Sequence, residues 1–262
     1  MNKLTRRLDE ALKGEILYYL TPDRPKKILF DHLPKCGGST LKAYLLKHYP
    51  RRKSFLTNGW DPHKSIQEFK EMPQSSRHDY CLIQGHLANQ LIGDADPACL
   101  KVTLLRDPVE RIISHYFFVK RTQKHYLHRT IHDSNISLED YACSNLSDEL
   151  KNWYTTHFSG FTSVKAEKNP EEAVATAVET VLNQFDIIGF LDDFPAFIES
   201  LRKRANLRYA YNDDRVNVTV DRPSTANIPS STIKLIEQKN EMDIAFYHKL
   251  RERLPHPERC ST

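Results

Sequence analysis

Four short apolar runs lie far apart along the chain, and stretches of helical period fill the gaps between them. The first run holds Ile28, Leu29, Phe30 and Leu33; the second is Tyr80-Cys81-Leu82-Ile83-Gln84-Gly85-His86. Lys101-Val102-Thr103-Leu104-Leu105 and Asp186-Ile187-Ile188-Gly189-Phe190 are the third and fourth. Near-continuous apolar runs of this length predict strands buried on both faces. Leu4, Leu8, Leu12 and Ile16 predict an amphipathic helix over residues 1–20, broken by Thr21-Pro22-Asp23-Arg24-Pro25. Leu41, Tyr44, Leu45 and Tyr49 predict a helix directly after the first strand. Asp61-Pro62 opens another, running through Glu71, because Asp caps and Pro fits the first helical position. Pro108 starts one bearing Ile112, Ile113, Tyr116 and Phe117. Residues 120–184 read as a long helical and loop region, with helix starts at Ser137 and Asn169-Pro170. Phe194, Phe197, Ile198 and Leu201 mark the helix after the fourth strand. Residues 206–229 are polar and aperiodic, a loop or flap, and residues 230–254 predict one closing helix.

Strands alternating with helices predict an α/β fold. Its mostly parallel central sheet has about four to five strands flanked by helices, in a single domain over residues 1–262. Ligands of such sheets sit beyond the carboxyl ends of the strands. Those ends therefore matter most. After the first strand comes Pro34-Lys35-Cys36-Gly37-Gly38-Ser39-Thr40. The glycine pair lets the backbone turn tightly without blocking an anion. Ser39 and Thr40 bring hydroxyls, and the helix they open brings free amides and a positive dipole end. Lys35 adds a mobile cation. The pattern describes a phosphate cradle, but not a Walker A loop, which sets Gly-Lys directly before Ser/Thr. Gly38-Ser39-Thr40 has its lysine upstream instead.

Composition narrows the picture. Lys and Arg number 38 against 34 Asp and Glu, a net charge of +4, too small an excess to imply nucleic-acid binding yet suited to an anionic ligand. The apolar piece Ile16–Leu20 is too short for a membrane span, so a soluble, cytoplasmic chain is expected. Cys36, Cys81, Cys99, Cys143 and Cys260 show neither a CxxC pair nor zinc spacing, and reduced thiols are expected. His125, His128 and His132 have helical spacing without a carboxylate pattern, which favours a solvated face over a metal site.

His86 and Arg106 each end a predicted strand, as the cradle does. If those strands are parallel neighbours, Lys35, His86 and Arg106 project into one crevice. A histidine there can exchange a proton near neutral pH. Arginine recognises phosphate through its planar fork, and Ser114, two turns into the next helix, can complete that site. Arg111 reads as structural, and His32 as support for the strand end and runner-up base.

The Pro34–Thr40 loop and the Arg106–Tyr116 segment together resemble the 5′-phosphosulfate loop and 3′-phosphate segment of sulfotransferases. These enzymes use 3′-phosphoadenosine-5′-phosphosulfate (PAPS), and their fold is like that of P-loop kinases. The branch most similar is the carbohydrate sulfotransferase group that includes heparan sulfate 2-O-sulfotransferase and bacterial relatives. Gly85-His86 resembles its Gly-His turn, whose histidine is the base. Asn152–Gly160, Val216–Thr219 with Arg222-Pro223, and Asn240–Asp243–Tyr247 resemble further segments, so the likeness runs from about Ile28 to Leu250. Two departures touch the acceptor side: Thr155-Thr156 where an arginine is often seen, and Leu191-Asp192 in place of Thr-Glu.

The resemblance implies in-line sulfuryl transfer to an acceptor hydroxyl, on an oligo- or polysaccharide, without a required metal. Lys35, Cys36, Gly37, Gly38, Ser39 and Thr40 would hold the 5′-phosphate. Arg106 and Ser114 would hold the 3′-phosphate of PAPS and of the product PAP. His86 would act as base, with Lys35 neutralising the leaving phosphate, and Arg222 would close over the nucleotide. Residues 51–75 and 120–165 would wall the acceptor. Two alternatives predict different behaviour: a P-loop-like ATP-dependent small-molecule kinase requires Mg²⁺, and a non-catalytic nucleotide-binding module tolerates loss of Lys35 and His86.

Overall fold

The computed structural model describes residues 18–19, 23–213 and 223–254. The helix expected over residues 1–20 therefore lies outside the described residues, apart from Tyr18 and Tyr19. The strands are β1 (Ile28–Asp31), β2 (Ser54–Leu56), β3 (Leu82–Gly85), β4 (Leu100–Leu105) and β5 (Ile187–Phe190). The first helices are α1 (Gly38–Leu45), α2 (Pro62–Glu71), α3 (Gln74–Asp79), α4 (Pro108–Arg121), α5 (His128–Asp133) and α6 (Leu138–Cys143). The rest are α7 (Trp153–Ser159), α8 (Ser163–Lys168), α9 (Pro170–Gln184), α10 (Phe194–Arg204), α11 (Ser230–Lys239) and α12 (Glu241–Arg253). They fall into two compact units: the described parts of Met1–Leu105 with Gln184–Asn217, and of Arg106–Asn183 with Val218–Thr262.

The first unit is built on a five-stranded sheet in the order β2-β3-β1-β4-β5. Every pairing is parallel, and Asp31 lies beside Gly85 on one side and Thr103 on the other. Alternate side chains point to opposite faces. Ile28, Phe30, Leu82, Val102 and Leu104 pack on Leu41, Tyr44 and Leu45 of α1 and on Phe197, Ile198 and Leu201 of α10. Leu29 and Ile83 face the other way, onto Ile66 and Phe69 of α2 and onto Ala88 and Leu91. Burial on both faces is why these strands read as unbroken apolar runs. Each such side chain, fully buried, is worth about 1.5–3 kcal/mol. β2 is the strand the apolar pattern missed. It has three residues and follows Arg51–Lys53, a single 3-10 turn.

In the second unit the apolar stripe of α4 (Ile112, Ile113, Tyr116, Val119) packs with Ile131, Tyr141, Leu150 and Ile236. Pro108 starts α4, and the Asp107 carboxylate accepts from the Glu110 amide at 3.0 Å. The single helix expected over residues 230–254 is two, α11 and α12, parted at Asn240. That residue leaves helical geometry (φ −126°, ψ 30°) because its buried amide is used elsewhere. Its Nδ2 donates to the carbonyls of Leu150 and Ile236, and its Oδ1 accepts from the Asn152 amide. No helix among the described residues is long and apolar enough to cross a membrane.

Candidate functional site

β1 lies between β3 and β4, so the strand leading to the cradle neighbours those that precede His86 and Arg106. Beyond β1 the chain turns through Lys35, whose φ is +65°, and Gly37, whose φ is +77°. Gly37 is the N-cap of α1 and so has no side chain to cap it; the first turn carries no acidic residue. The contrast with α2 and α4 is sharp, since Asp61 and Asp107 cap those helices. An uncapped, acid-free helix start behind a left-handed glycine leaves its amides and dipole for an external anion. Cys36 and Thr40 are buried in the turn, and the Cys36 thiol donates to the Pro34 carbonyl at 3.4 Å.

Both glycines are needed for close approach. A Cβ on Gly37 would lie 2.5 Å from Cδ1 of Leu191, and one on Gly38 would lie 2.6 Å from Cγ of His32 and closer still to its Cδ2 and Nε2. Leu191 thus backs the cradle from the turn after β5.

His32 joins the cradle to His86. Its ring stacks on Phe30 at 5.7 Å and on the His86 ring at 4.6 Å between centroids. Burial holds the His32 pKa well below the usual imidazole range, and His86, Lys42 and Lys35 lower it further. His32 is therefore neutral at physiological pH. Its backbone oxygen lies 2.6 Å from Nδ1 of His86. A carbonyl can only accept, so Nδ1 of a neutral His86 carries the proton and Nε2 carries the free lone pair.

The His86 backbone is held as firmly. Gly85 has φ +141°, and a Cβ there would fall 3.0 Å from Cβ of Thr57 and closer to its hydroxyl. That hydroxyl donates to the His86 carbonyl at 3.1 Å. Asp31, fully buried at the end of β1, accepts from the Asn89 amide at 3.1 Å and anchors the turn beyond His86. Thr57 and Asp31 escaped the sequence reading. The Asn-Gly-flanked Thr57 and the charge at the end of an apolar strand were the available signals.

Lys35, Cys36, Gly37, Gly38, Ser39, Thr40 and His86 all belong to the first unit, while Arg106 and Ser114 belong to the second. Arg106 precedes α4, and its guanidinium donates to Glu110 at 2.8 Å. The other Glu110 oxygen accepts from the Thr225 hydroxyl. Ser114 is buried in the second turn of α4. Arg111 makes no surface pairing with its neighbour Glu110. It is fully buried, donates to the Glu149 carbonyl at 2.7 Å and lies 3.9 Å from Asp243. Arg222 lies outside the described residues.

The site thus combines an anion-ready helix start, a cation beside it and an imidazole with a fixed lone pair. Comparison with curated proteins finds no match. The sequence model of the sulfotransferase family matches residues 19–249, a span that includes the cradle, His86, Arg106 and Ser114. The chain belongs to the sulfotransferase family.

Proposed function

We propose that this sulfotransferase uses PAPS as donor and delivers the sulfuryl group to a carbohydrate hydroxyl, on an oligo- or polysaccharide, with His86 as base. The observation that carries the reading is the His86 Nδ1 contact with the His32 carbonyl at 2.6 Å, which leaves Nε2 to take a proton. The uncapped start of α1 fits a 5′-phosphate: Gly37, Gly38, Ser39 and Thr40 offer amides and hydroxyls, and the first turn of the helix holds no acidic residue. Lys35 and Cys36 complete that turn. Arg106 and Ser114 are assigned the 3′-phosphate on the family likeness. When bound, PAPS supplies an activated sulfuryl group whose departure leaves charge on the 5′-phosphate.

Lys35 neutralises that charge through its ammonium group. His86 Nε2 removes the acceptor proton as the hydroxyl oxygen attacks. Positioning and electrostatics supply most of the catalysis in transfers of this kind. A sulfuryl group carries less negative charge than a phosphoryl group, so the lysine suffices and turnover is expected to continue in EDTA. Trp60, 66% exposed ahead of α2, offers the flat apolar surface on which a sugar ring stacks.

The test is transfer of radiolabelled sulfate from PAPS to a panel of glycans and small alcohols, with calorimetry of PAP binding beside it. Transfer to glycans supports the reading. Failure to bind PAP refutes the donor, and transfer to small alcohols alone refutes the carbohydrate acceptor.

A further inference from the structure

We propose that Tyr154 is a positioning residue that aims Arg106, and so sets the preference for a nucleotide bearing a 3′-phosphate; this rests on the assignment of Arg106 to that phosphate. Arg106 sits in the non-helical link ahead of α4, and one hydroxyl meets both polar groups of its backbone. The Tyr154 hydroxyl accepts from the Arg106 amide at 3.2 Å and donates to the Arg106 carbonyl at 3.0 Å. Both polar groups of one peptide position are thereby tied to a single atom 48 residues away in sequence.

That atom is itself immobile. Tyr154 is fully buried, and its amide donates to Asp243 at 3.0 Å. Its ring packs on Phe246 at 6.0 Å and lies 5.0 Å from the Arg111 guanidinium. The segment that carries it starts at Asn152, whose φ is +47° and whose side chain accepts from the amides of Met242 and Asp243. The far end of Arg106 is steered by Glu110. An arginine fixed at its backbone and guided at its fork loses little freedom on meeting a phosphate, and preorganisation of this kind raises affinity without any new contact.

The test compares PAP with AMP, which differ only in the 3′-phosphate, by calorimetry on the full chain. Tyr154→Phe removes two hydrogen bonds and is expected to weaken PAP about tenfold while leaving AMP unchanged. Arg106→Ala is expected to abolish the PAP-to-AMP preference. Adding Tyr154→Phe to Arg106→Ala should then cost nothing further, because Tyr154 acts through Arg106. Equal weakening of PAP and AMP in Tyr154→Phe, or additive losses in the double variant, would overturn the proposal as a merely structural effect. An unchanged ratio in Tyr154→Phe, beside a lost one in Arg106→Ala, overturns this proposal alone. An unchanged ratio in Arg106→Ala removes the 3′-phosphate assignment and this proposal with it. Should Tyr154→Phe not fold, 3-fluorotyrosine at the same position keeps the ring and makes the hydroxyl a better donor and poorer acceptor. The ratio is then expected to change, and an unchanged ratio overturns the proposal.

Discussion

Gly38→Ala sets two effects of opposite sign against each other. Alanine is the better helix former, and replacing glycine in α1 would by propensity alone stabilise the protein by up to about 1 kcal/mol. The new methyl, however, would stand 2.6 Å from Cγ of His32 and nearer to two further ring atoms. Carbon atoms rest at about 3.5–4 Å, so the ring must retreat by about 1 Å or more. Its retreat is hindered on two sides, since Phe30 stacks on it at 5.7 Å and His86 at 4.6 Å. Overpacking of this sort costs about 1–3 kcal/mol, which cancels or outweighs the propensity gain. The effect on turnover is larger. His32 holds Nδ1 of His86 through its own carbonyl, and a displacement of about 1 Å at a catalytic group costs on the order of a hundredfold in rate. Urea unfolding and labelled-sulfate transfer on the same preparation measure both quantities. We expect a stability change between zero and about −2 kcal/mol and a rate loss near a hundredfold. A variant about 1 kcal/mol more stable than the parent, with full activity, would show that His32 is no rigid wedge and that its ring yields to a methyl group without cost.

Three further outcomes follow from the same structure. His86→Ala is expected to abolish sulfate transfer while PAP affinity, read by calorimetry, stays within about twofold; a normal rate would remove His86 from the mechanism. His48 is buried between Tyr44 and Tyr209 with both ring nitrogens unpartnered, and burial, then Lys47 and Arg208, pushes its pKa from 6.5 down to about 4. The unfolded chain binds this proton first, so the stability that neutral His48 contributes is whole above pH 6.5 and is lost as pH falls towards 4. That loss is about 3 kcal/mol, and unfolding curves of His48→Phe should fall less steeply across the same window; an identical slope counts against it. Arg111→Met leaves the Asp243 carboxylate buried without its cation and is expected to cost about 3–5 kcal/mol at neutral pH. Burial already raises the Asp243 pKa, with Arg111 opposing. In the variant that pKa rises further, so the deficit should shrink as pH falls through it; a pH-independent loss below about 1 kcal/mol would contradict this account.

Much of the sheet was legible because strands buried on both faces cannot hide their composition. Ile28–Phe30 and Leu82-Ile83 admit no polar alternation to confuse the pattern, and the one polar residue of Val102–Leu105, Thr103, is itself fully buried. β2 was not legible, since three half-buried residues beside a run of basic ones give no periodic signal. The break at Asn240 was equally silent. Ile233 and Ile236 before it and Ile244 and Tyr247 after it keep a helical rhythm, and only partners about 90 residues away take the asparagine out of the helix. The cradle announced itself through glycines and hydroxyls that are contiguous in sequence. The supports did not: Thr57 meets His86 across 29 residues, the His32 carbonyl meets His86 across 54, and Tyr154 meets Arg106 across 48. Side chains that act on distant backbone carry no local motif.

The position of β5 has a cost during synthesis. It pairs with β4, yet 81 residues separate Leu105 from Ile187, so the ribosome must supply all of them before the pairing partner exists. Throughout that interval Val102–Leu105 offer bare amides and carbonyls to any extended chain nearby. Nascent or truncated polypeptides that stop short of Ile187 should therefore self-associate, and expression of the intact protein should respond to translation speed between those two strands.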